Sequence, residues 1–267
     1  MMRESWALIR SAWLTAASYR IGMVMSLLGL GVVVLPLYFI ANALQATMQQ
    51  TISAEAHQYF GFVVVGAVAF SLISTCATAL PMAVDSAIGR GTLELMLGTP
   101  ARLGAICTGL MGYGVMWSVL RATIVVAVAS WLGAGIVWRG IPLGIAVLAL
   151  TMLSYAGIGL IFTALVLNFR TAGPLPAGVL TASMFLGGVY YPAHVIPSWI
   201  RDLSGFFPLT YGLRALRQVL LRGDPLSSVL ADVQTLSAMT TVTLAVGVGL
   251  FWIASQRARR VGTLSSY

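Results

Sequence analysis

Not one lysine occurs among the 267 residues; all 15 basic residues are arginine. A Walker A loop needs lysine to reach the β- and γ-phosphates, so this chain does not hydrolyse ATP by that route. A retinal or pyridoxal Schiff base needs the same amine and is excluded with it. Charge of either sign is scarce: 8% of residues are charged, where a soluble domain carries about 25%. The seven acidic residues are spread thinly, and no pair has a spacing suited to acid–base work. The two histidines, His57 and His194, stand alone without a carboxylate cluster, which argues against a metal site. The two cysteines, Cys76 and Cys107, lie in or beside apolar runs and form no CxxC. They read as packing residues rather than a disulfide or metal framework.

Hydrophobic residues are what the chain has in excess: 59% of the sequence, with a mean hydropathy of +0.93. No soluble core absorbs that much apolar sequence, so the composition predicts an all-α polytopic membrane protein. Uncharged runs of span length are Ile21–Ala41, Tyr59–Val84, Gly140–Phe169, Thr171–Ile200 and Val233–Gln256, and Leu103–Trp138 is broken only by Arg121. None alternates polar with apolar residues as barrel strands do. The first run is too long for a signal-peptide core and lacks a small-residue cleavage site, so it reads as a retained span. The net charge of +8 is explained by arginines that fix topology at the membrane surface, not by nucleic-acid binding.

Six spans are expected, at about 21–43, 59–83, 105–132, 142–167, 174–190 and 234–255, within a single transmembrane domain covering 1–267. Trp6, Ile9, Trp13 and Ala16 recur at helical spacing among Arg3, Arg10 and Arg20, which predicts an amphipathic N-terminal helix in the headgroup layer. Pro36 is a candidate kink in span 1, and a polar stretch, Gln45–Gln58, follows it. As a helix, the 36 residues Leu103–Trp138 measure about 54 Å, too long for one crossing of about 30 Å. A hairpin turning at Arg121 is the alternative, but no Pro, Asn, Asp or Gly cluster marks a turn there. One span ended by Gly133 and Gly135 is preferred, with Arg121 as an intramembrane charge in its outer half. Such charges are functional candidates, although snorkelling or a structural salt bridge serves Arg121 equally well.

An even number of spans puts both termini on one side. That side then holds Arg3, Arg10, Arg20, Arg90, Arg102, Arg170, Arg257, Arg259 and Arg260; the other holds Arg139, Arg201, Arg214, Arg217 and Arg222. The positive-inside rule places both termini in the cytoplasm. The segment 85–102, with "RGTLELMLGTP" at its centre, is then cytoplasmic.

Two segments stand out. In the first, Thr92 can cap a short helix over Leu93–Leu97, Gly98 suits its C′ position and Pro100 blocks its continuation. Leu93, Met96 and Leu97 share one face and Glu94 lies on another. A helix this short is not stable alone in water, so the leucine face needs a surface. The bilayer and a cytoplasmic partner serve equally well. The second segment, 191–232, follows an aromatic and proline corner, Tyr190, Tyr191 and Pro192, then Pro197. Two short helices are expected, broken at Gly205–Pro208, with Leu209, Leu213, Leu216 and Leu220 on one stripe and Arg214, Arg217 and Gln218 on another. They describe a dip into the outer leaflet rather than a crossing.

In this order and on these sides, the two segments resemble those of the membrane subunit of an ABC exporter of the type-2 permease family. This family includes daunorubicin-resistance, nodulation-factor and O-antigen or teichoic-acid export permeases. "RGTLELMLGTP" resembles the family's coupling segment, with Arg90, Thr92, Leu93, Glu94, Met96, Leu97 and Pro100. "GGVYYPAHVIPSWIRDLSGFFPLTYGLRALRQVLL" resembles its outer signature: the corner of Tyr190, Tyr191 and Pro192, an Ile-Pro ending at Pro197, then Pro208 to Tyr211 and the arginines Arg214 and Arg217. The Gly-Lys that often opens the family's third span reads Gly109–Leu110 here.

The resemblance implies six spans, the N-terminal interfacial helix, a short cytoplasmic coupling helix and re-entrant outer helices between spans 5 and 6. It implies a second permease chain, identical or paralogous, and two copies of a cytoplasmic ABC ATPase that bind ATP and Mg in place of this chain. The chain itself is then not an enzyme. It is a permease subunit in the bacterial inner (cytoplasmic) membrane, in contact with membrane lipids, that moves a hydrophobic or amphipathic drug, lipid or glycolipid outward. Within the family the alternative is polysaccharide export, which calls for an aromatic-lined path with Tyr113, Trp117 and Tyr155 as its candidates, whose facing the sequence does not show. From a different class, the alternative is an integral membrane lipid-modifying enzyme, which needs Asp, Glu or His clusters that the sequence does not offer.

Overall fold

A computed structural model describes residues 20–53, 55–91, 103–169, 171, 173–192 and 197–261, and every regular element among them is helical. The expected N-terminal amphipathic helix, residues 92–102 of the expected coupling segment, and His194 lie outside the described residues. In chain order the helices are α1 (Arg20–Ile52), α2 (Tyr59–Gly89), α3 (Leu103–Trp131), α4 (Ile141–Phe169), α5 (Leu175–Leu186), α6 (Ser198–Ser204), α7 (Pro208–Arg217) and α8 (Leu226–Val261). A 3₁₀ turn, Trp138–Gly140, precedes α4, and a π-helical turn, Gln218–Arg222, follows α7. Among the described residues, four segments are long and apolar enough to cross a membrane: Tyr59–Gly89, Gly114–Trp131, Trp138–Phe169 and Leu226–Arg257.

Several boundaries differ from the sequence reading. Helix α1 does not stop near residue 43. It runs through Pro36 and on to Ile52, because the chain from Ala43 to Gln50 is built of good helix formers with no breaker. The polar stretch is therefore mostly the last two turns of α1, and its side chains close the next connection. Gln45 Oε1 accepts from the Tyr59 amide (2.7 Å) and Gln45 Nε2 donates to the His57 carbonyl (3.3 Å). Helix α3 is unbroken through Arg121.

The fifth expected span, 174–190, is corrected to the 12 residues Leu175–Leu186. At a rise of 1.5 Å per residue that is about 18 Å, short of the ~30 Å hydrocarbon thickness. Two glycines end it. Gly188 takes φ +72°, the Gly188 amide donates to Phe185 O (3.3 Å) and the Val189 amide to Met184 O (3.2 Å). This pair of bonds is a Schellman cap, which needs a left-handed residue at C′ and is best supplied by glycine.

Long helices pack through small residues. Helix α8 lies along α4, α4 also packs on α2, and α2 carries α3 and α1 on other sides. Where α4 meets α8, a Cβ on Gly157 would come within 2.7 Å of the Thr243 carbonyl, and one on Gly247 would strike the Gly157 carbonyl. Ser154 Oγ and Thr243 Oγ1 share a hydrogen bond (3.2 Å), and Thr240 Oγ1 donates to Leu150 O (3.3 Å). Small residues let the backbones close up, and hydroxyls then bond across the seam, as expected where lipid removes the hydrophobic drive between helices. Gly159 of α4 meets the Cys76 and Ala77 carbonyls of α2 in the same way. Between α2 and α3 the seam is looser and includes the Thr75–Ser118 hydroxyl pair (2.8 Å).

Gly157→Leu or Gly247→Leu is expected to lower stability by about 1–3 kcal/mol, the usual cost of overpacking. Gly249→Leu, where a side chain meets open space, leaves it unchanged. Thermal unfolding of the three variants in detergent checks this; equal melting temperatures would contradict the close seam.

Candidate functional site: a buried arginine clamp under two short helices

Residues 197–222 form two short helices separated by Gly205, Phe206 and Phe207. The Thr210 hydroxyl donates to the Ser204 carbonyl (2.7 Å) and joins them. Pro208 opens α7 at its first turn, where the missing N–H costs nothing. Leu209, Leu213 and Leu216 are all buried, and Leu220 packs beside them. The leucine stripe thus faces the protein, against α2, α4 and α8. Gly212 lets α7 settle onto Thr151 of α4. The π turn is tied down by the Val137 amide, which donates to Leu220 O (2.7 Å).

The expected polar stripe of α7 divides. Arg217 is not on a wet face; its side chain is 2% exposed. One guanidinium nitrogen donates to Glu55 Oε2 (3.1 Å). The other donates to the Gly188 and Val189 carbonyls (2.9 and 2.8 Å). The Phe62 ring lies against the guanidinium, 3.4 Å from carbon to ring centre, so its negative face adds a cation–π contact. Four segments of chain meet here: the α1–α2 connection, α2, the capped end of α5, and α7. Burial pulls the Arg217 guanidinium down to about 10, with the Glu55 charge acting the other way. That value leaves it a cation at neutral pH, as a guanidinium ordinarily is.

The Tyr59 hydroxyl strengthens the same corner by donating to the Tyr190 carbonyl (2.9 Å). Gly66, one turn beyond Phe62, is required: a Cβ there would collide with Val189 O and press to 2.8 Å from the Arg217 nitrogen. Arg214 points the other way. It forms a two-pronged pair with Asp232 of α8, one prong at 2.8 Å from Nε, and lies 5.5 Å from the centre of the Tyr211 ring. The Asp232 hydrogen bond raises the Arg214 guanidinium above its ordinary value.

The remaining predicted residues distribute as follows. Pro192 and Pro208 are buried, Tyr191 and Tyr211 are half-buried, Tyr190 is more exposed and contributes its carbonyl, and Pro197 caps α6 from an exposed position. Arg90 caps α2 and turns back on it, donating from Nε to Ser86 O (3.1 Å) and from a terminal nitrogen to Ser86 Oγ (2.9 Å). Thr92, Leu93, Glu94, Met96, Leu97 and Pro100 lie outside the described residues. Arg121 makes no contact in the clamp and lines a cleft between α1, α2 and α3. Tyr155 is fully buried and lines no path on the surface of this chain. Glu55, Tyr59, Phe62, Gly66 and Asp232 were missed by the sequence reading. A weak signal existed for Glu55, an acid in an arginine-free outer connection, but nothing in the sequence brings it 162 positions along to Arg217.

Replacing Arg217 with Gln strands Glu55 and two carbonyls, so a loss of about 3–5 kcal/mol is expected, as for other broken buried pairs. Glu55→Gln with Arg217→Gln should cost less than the sum, by about 0.5–3 kcal/mol. Arg214→Gln at a half-exposed pair should cost about 1 kcal/mol or less. Thermal unfolding of the four variants in detergent measures all three; additivity of Glu55 and Arg217 would refute the clamp.

Residues 2–221 match the family described as "ABC-2 type transporter". Nodulation protein J of Rhizobium leguminosarum bv. viciae is 28% identical over 194 residues, covering 72% of this chain and 74% of that protein. Nodulation protein J of R. leguminosarum bv. trifolii is 31% identical over 180 residues, 67% and 68% of the two chains. The inner membrane transport permease YadH of Escherichia coli K12 is 23% identical over 219 residues, 81% and 84%. The chain is a membrane permease belonging to the ABC-2 type transporter family.

Proposed function

We propose that this chain is the transmembrane subunit of an ATP-driven exporter. It carries a hydrophobic or amphipathic substrate out of the cytoplasm or the inner leaflet of the bacterial inner membrane. Both termini lie in the cytoplasm; five long segments cross, and the short α5 carries the chain up to the buried clamp, beyond which α6 and α7 lie in the outer leaflet. Two permease chains, identical or paralogous, work with two cytoplasmic ATPase subunits that hold ATP and Mg.

The observation that carries the reading, beside family membership, is how α2 and α3 are connected. They pack side by side, and only residues 90–102 join them. Anything that grips that segment moves the ends of both helices together. Helix α2 then continues unbroken to Tyr59, where Tyr59, Phe62 and Gly66 hold the outer clamp. A push on the cytoplasmic end, delivered when the ATPase subunits close on ATP, reaches the outer corner through about 46 Å of helix. The contact face is Leu93, Met96 and Leu97, with Thr92 and Pro100 bounding the short helix and Glu94 and Arg90 flanking it. A saccharide-bearing cargo is the second reading. It is favoured by a cavity of about 210 Å³ lined by Asn42, Gln45, Gln58, Phe60, Leu132 and Gly133, where carboxamides suit hydroxyl groups.

Leu93→Asp and Met96→Asp are each expected to abolish co-purification of the cognate ATPase, or to reduce its permease-stimulated hydrolysis at least tenfold, with the permease still folded by size-exclusion chromatography. Full retention of both by both variants would sink the coupling role.

A further inference from the structure

Arg121 has no use in the clamp or the helix seams. It lines a cleft of about 110 Å³ whose other walls are Val34 and Leu37 of α1, Val64, Ala67, Val68 and Ser71 of α2, and Ala122 and Val125 of α3. Apart from Arg121, Ser71 has the only polar side chain in that lining.

The depth of the cleft follows from two independent helices. Trp131 ends α3 and is 86% exposed, as a residue of the interfacial belt is. Arg121 is ten residues before it, about 15 Å along the axis. On α2, Ser71 is twelve residues from Tyr59, about 18 Å. Those two helix ends lie on the same side, since Gln58, Phe60, Leu132 and Gly133 line one cavity. Half of a ~30 Å hydrocarbon layer is 15 Å, so both rulers put Arg121 and Ser71, at the inner end of the cleft, near the bilayer midplane, while Val64, five residues or about 7.5 Å from Tyr59, sets its outer end in the outer half. An arginine side chain cannot reach headgroup water from there without distorting the bilayer.

A guanidinium set in an apolar cleft needs an anion beside it. The described carboxylates do not supply one. Glu55, Asp232 and Asp224 are paired to Arg217, Arg214 and Arg222. Asp85 lies in the last turns of α2, fourteen residues beyond Ser71, and Asp202 lies in α6. Glu4 and Glu94 lie outside the described residues. Phospholipid head groups at rest lie a full half-thickness away. What passes the midplane with its head group is a molecule in transit.

We infer that the Arg121 cleft is a transit site for the anionic group, phosphate or carboxylate, of an acyl-chain amphiphile. A cleft of about 110 Å³ takes a head group and its first methylenes but not a whole lipid. The acyl chain lies against Val34, Leu37, Val64 and Val68, with Ser71 as a second hydrogen-bond donor. The inference deepens the transport reading by giving the cargo a charge, and rests on it. Its test needs no ATPase, so a negative result here leaves the coupling experiment standing.

The test is equilibrium binding of radiolabelled dodecyl phosphate to the full chain in neutral maltoside micelles. Saturable binding is expected, displaced by dodecanoate but not by dodecanol. Arg121→Gln should weaken it at least tenfold, Arg121→Lys by no more than about threefold, and Ala122→Leu, which fills the cleft, at least tenfold. Competition by phosphatidylglycerol at equal concentration would identify the source as bilayer lipid, and its failure a single-chain cargo; either result keeps the site. Equal displacement by dodecanol, equal displacement by inorganic phosphate, or unchanged binding in folded Arg121→Gln would each overturn it. The first two are read on the wild-type chain and do not depend on a variant folding.

Discussion

A guanidinium buried at 2% exposure holds together the end of this protein where α1 passes into α2. Taking such a charge out of water costs several kcal/mol unless every donor is met and a counter-charge is close. Arg217 meets most of that demand with partners drawn from three other parts of the chain; its buried Nε alone has no hydrogen-bond partner among the described residues. Glu55 supplies the charge, the end of α5 supplies two carbonyls, and Phe62 supplies a ring face. The shape of the region follows from this. Helix α5 has to stop at Leu186, because its next carbonyls must turn toward Arg217. Gly188 has to take a left-handed conformation for that turn, and position 66 has to be glycine because the carbonyl and the guanidinium occupy the space of a side chain.

Below the clamp the helices are joined by a different kind of contact. The α4–α8 and α2–α4 seams are backbone against glycine, sealed by serine and threonine hydroxyls. The α1–α2–α3 group is less close and leaves an apolar cleft with one arginine in it. Helix α2 belongs to both groups. It contributes Tyr59, Phe62 and Gly66 to the clamp, backbone carbonyls to the α4 seam, Ser71 to the cleft, and Ser86 to the cap that holds Arg90. In the transport reading it is the element through which a cytoplasmic event is felt at the outer surface. Its long run of buried residues gives it the stiffness for that role.

The family was legible in the sequence, and so was the helical class, because both rest on local patterns. Uncharged runs, proline and glycine stops, and a set of short motifs survive in a linear reading. The leucine stripe of α7 was legible for the same reason, since a 3.6-residue period shows which residues share a face. What that period cannot show is which face meets protein when both are wanted inside. Arg217 therefore read as part of a polar surface, and Glu55, Tyr59, Phe62 and Gly66 did not read as a site at all. The 174–190 span was overestimated because apolar composition measures length and does not register that Gly187 and Gly188 end a helix early.

By itself the sequence determined that the chain is helical, too apolar for water, unable to build a lysine-based ATP site, and marked by two segments that resemble those of an ABC-2 type permease. Each of these depends only on residue type and near-neighbour spacing. The tertiary structure decided which arginine is buried and which acid it meets. It decided where α5 ends, which glycines are irreplaceable, and that Arg121 faces an apolar cleft between α1, α2 and α3. Those depend on distances between residues as many as 162 positions apart, and the energy that selects them is the cost of an unpaired charge or an unsatisfied carbonyl away from water. That cost arises only when distant segments pack.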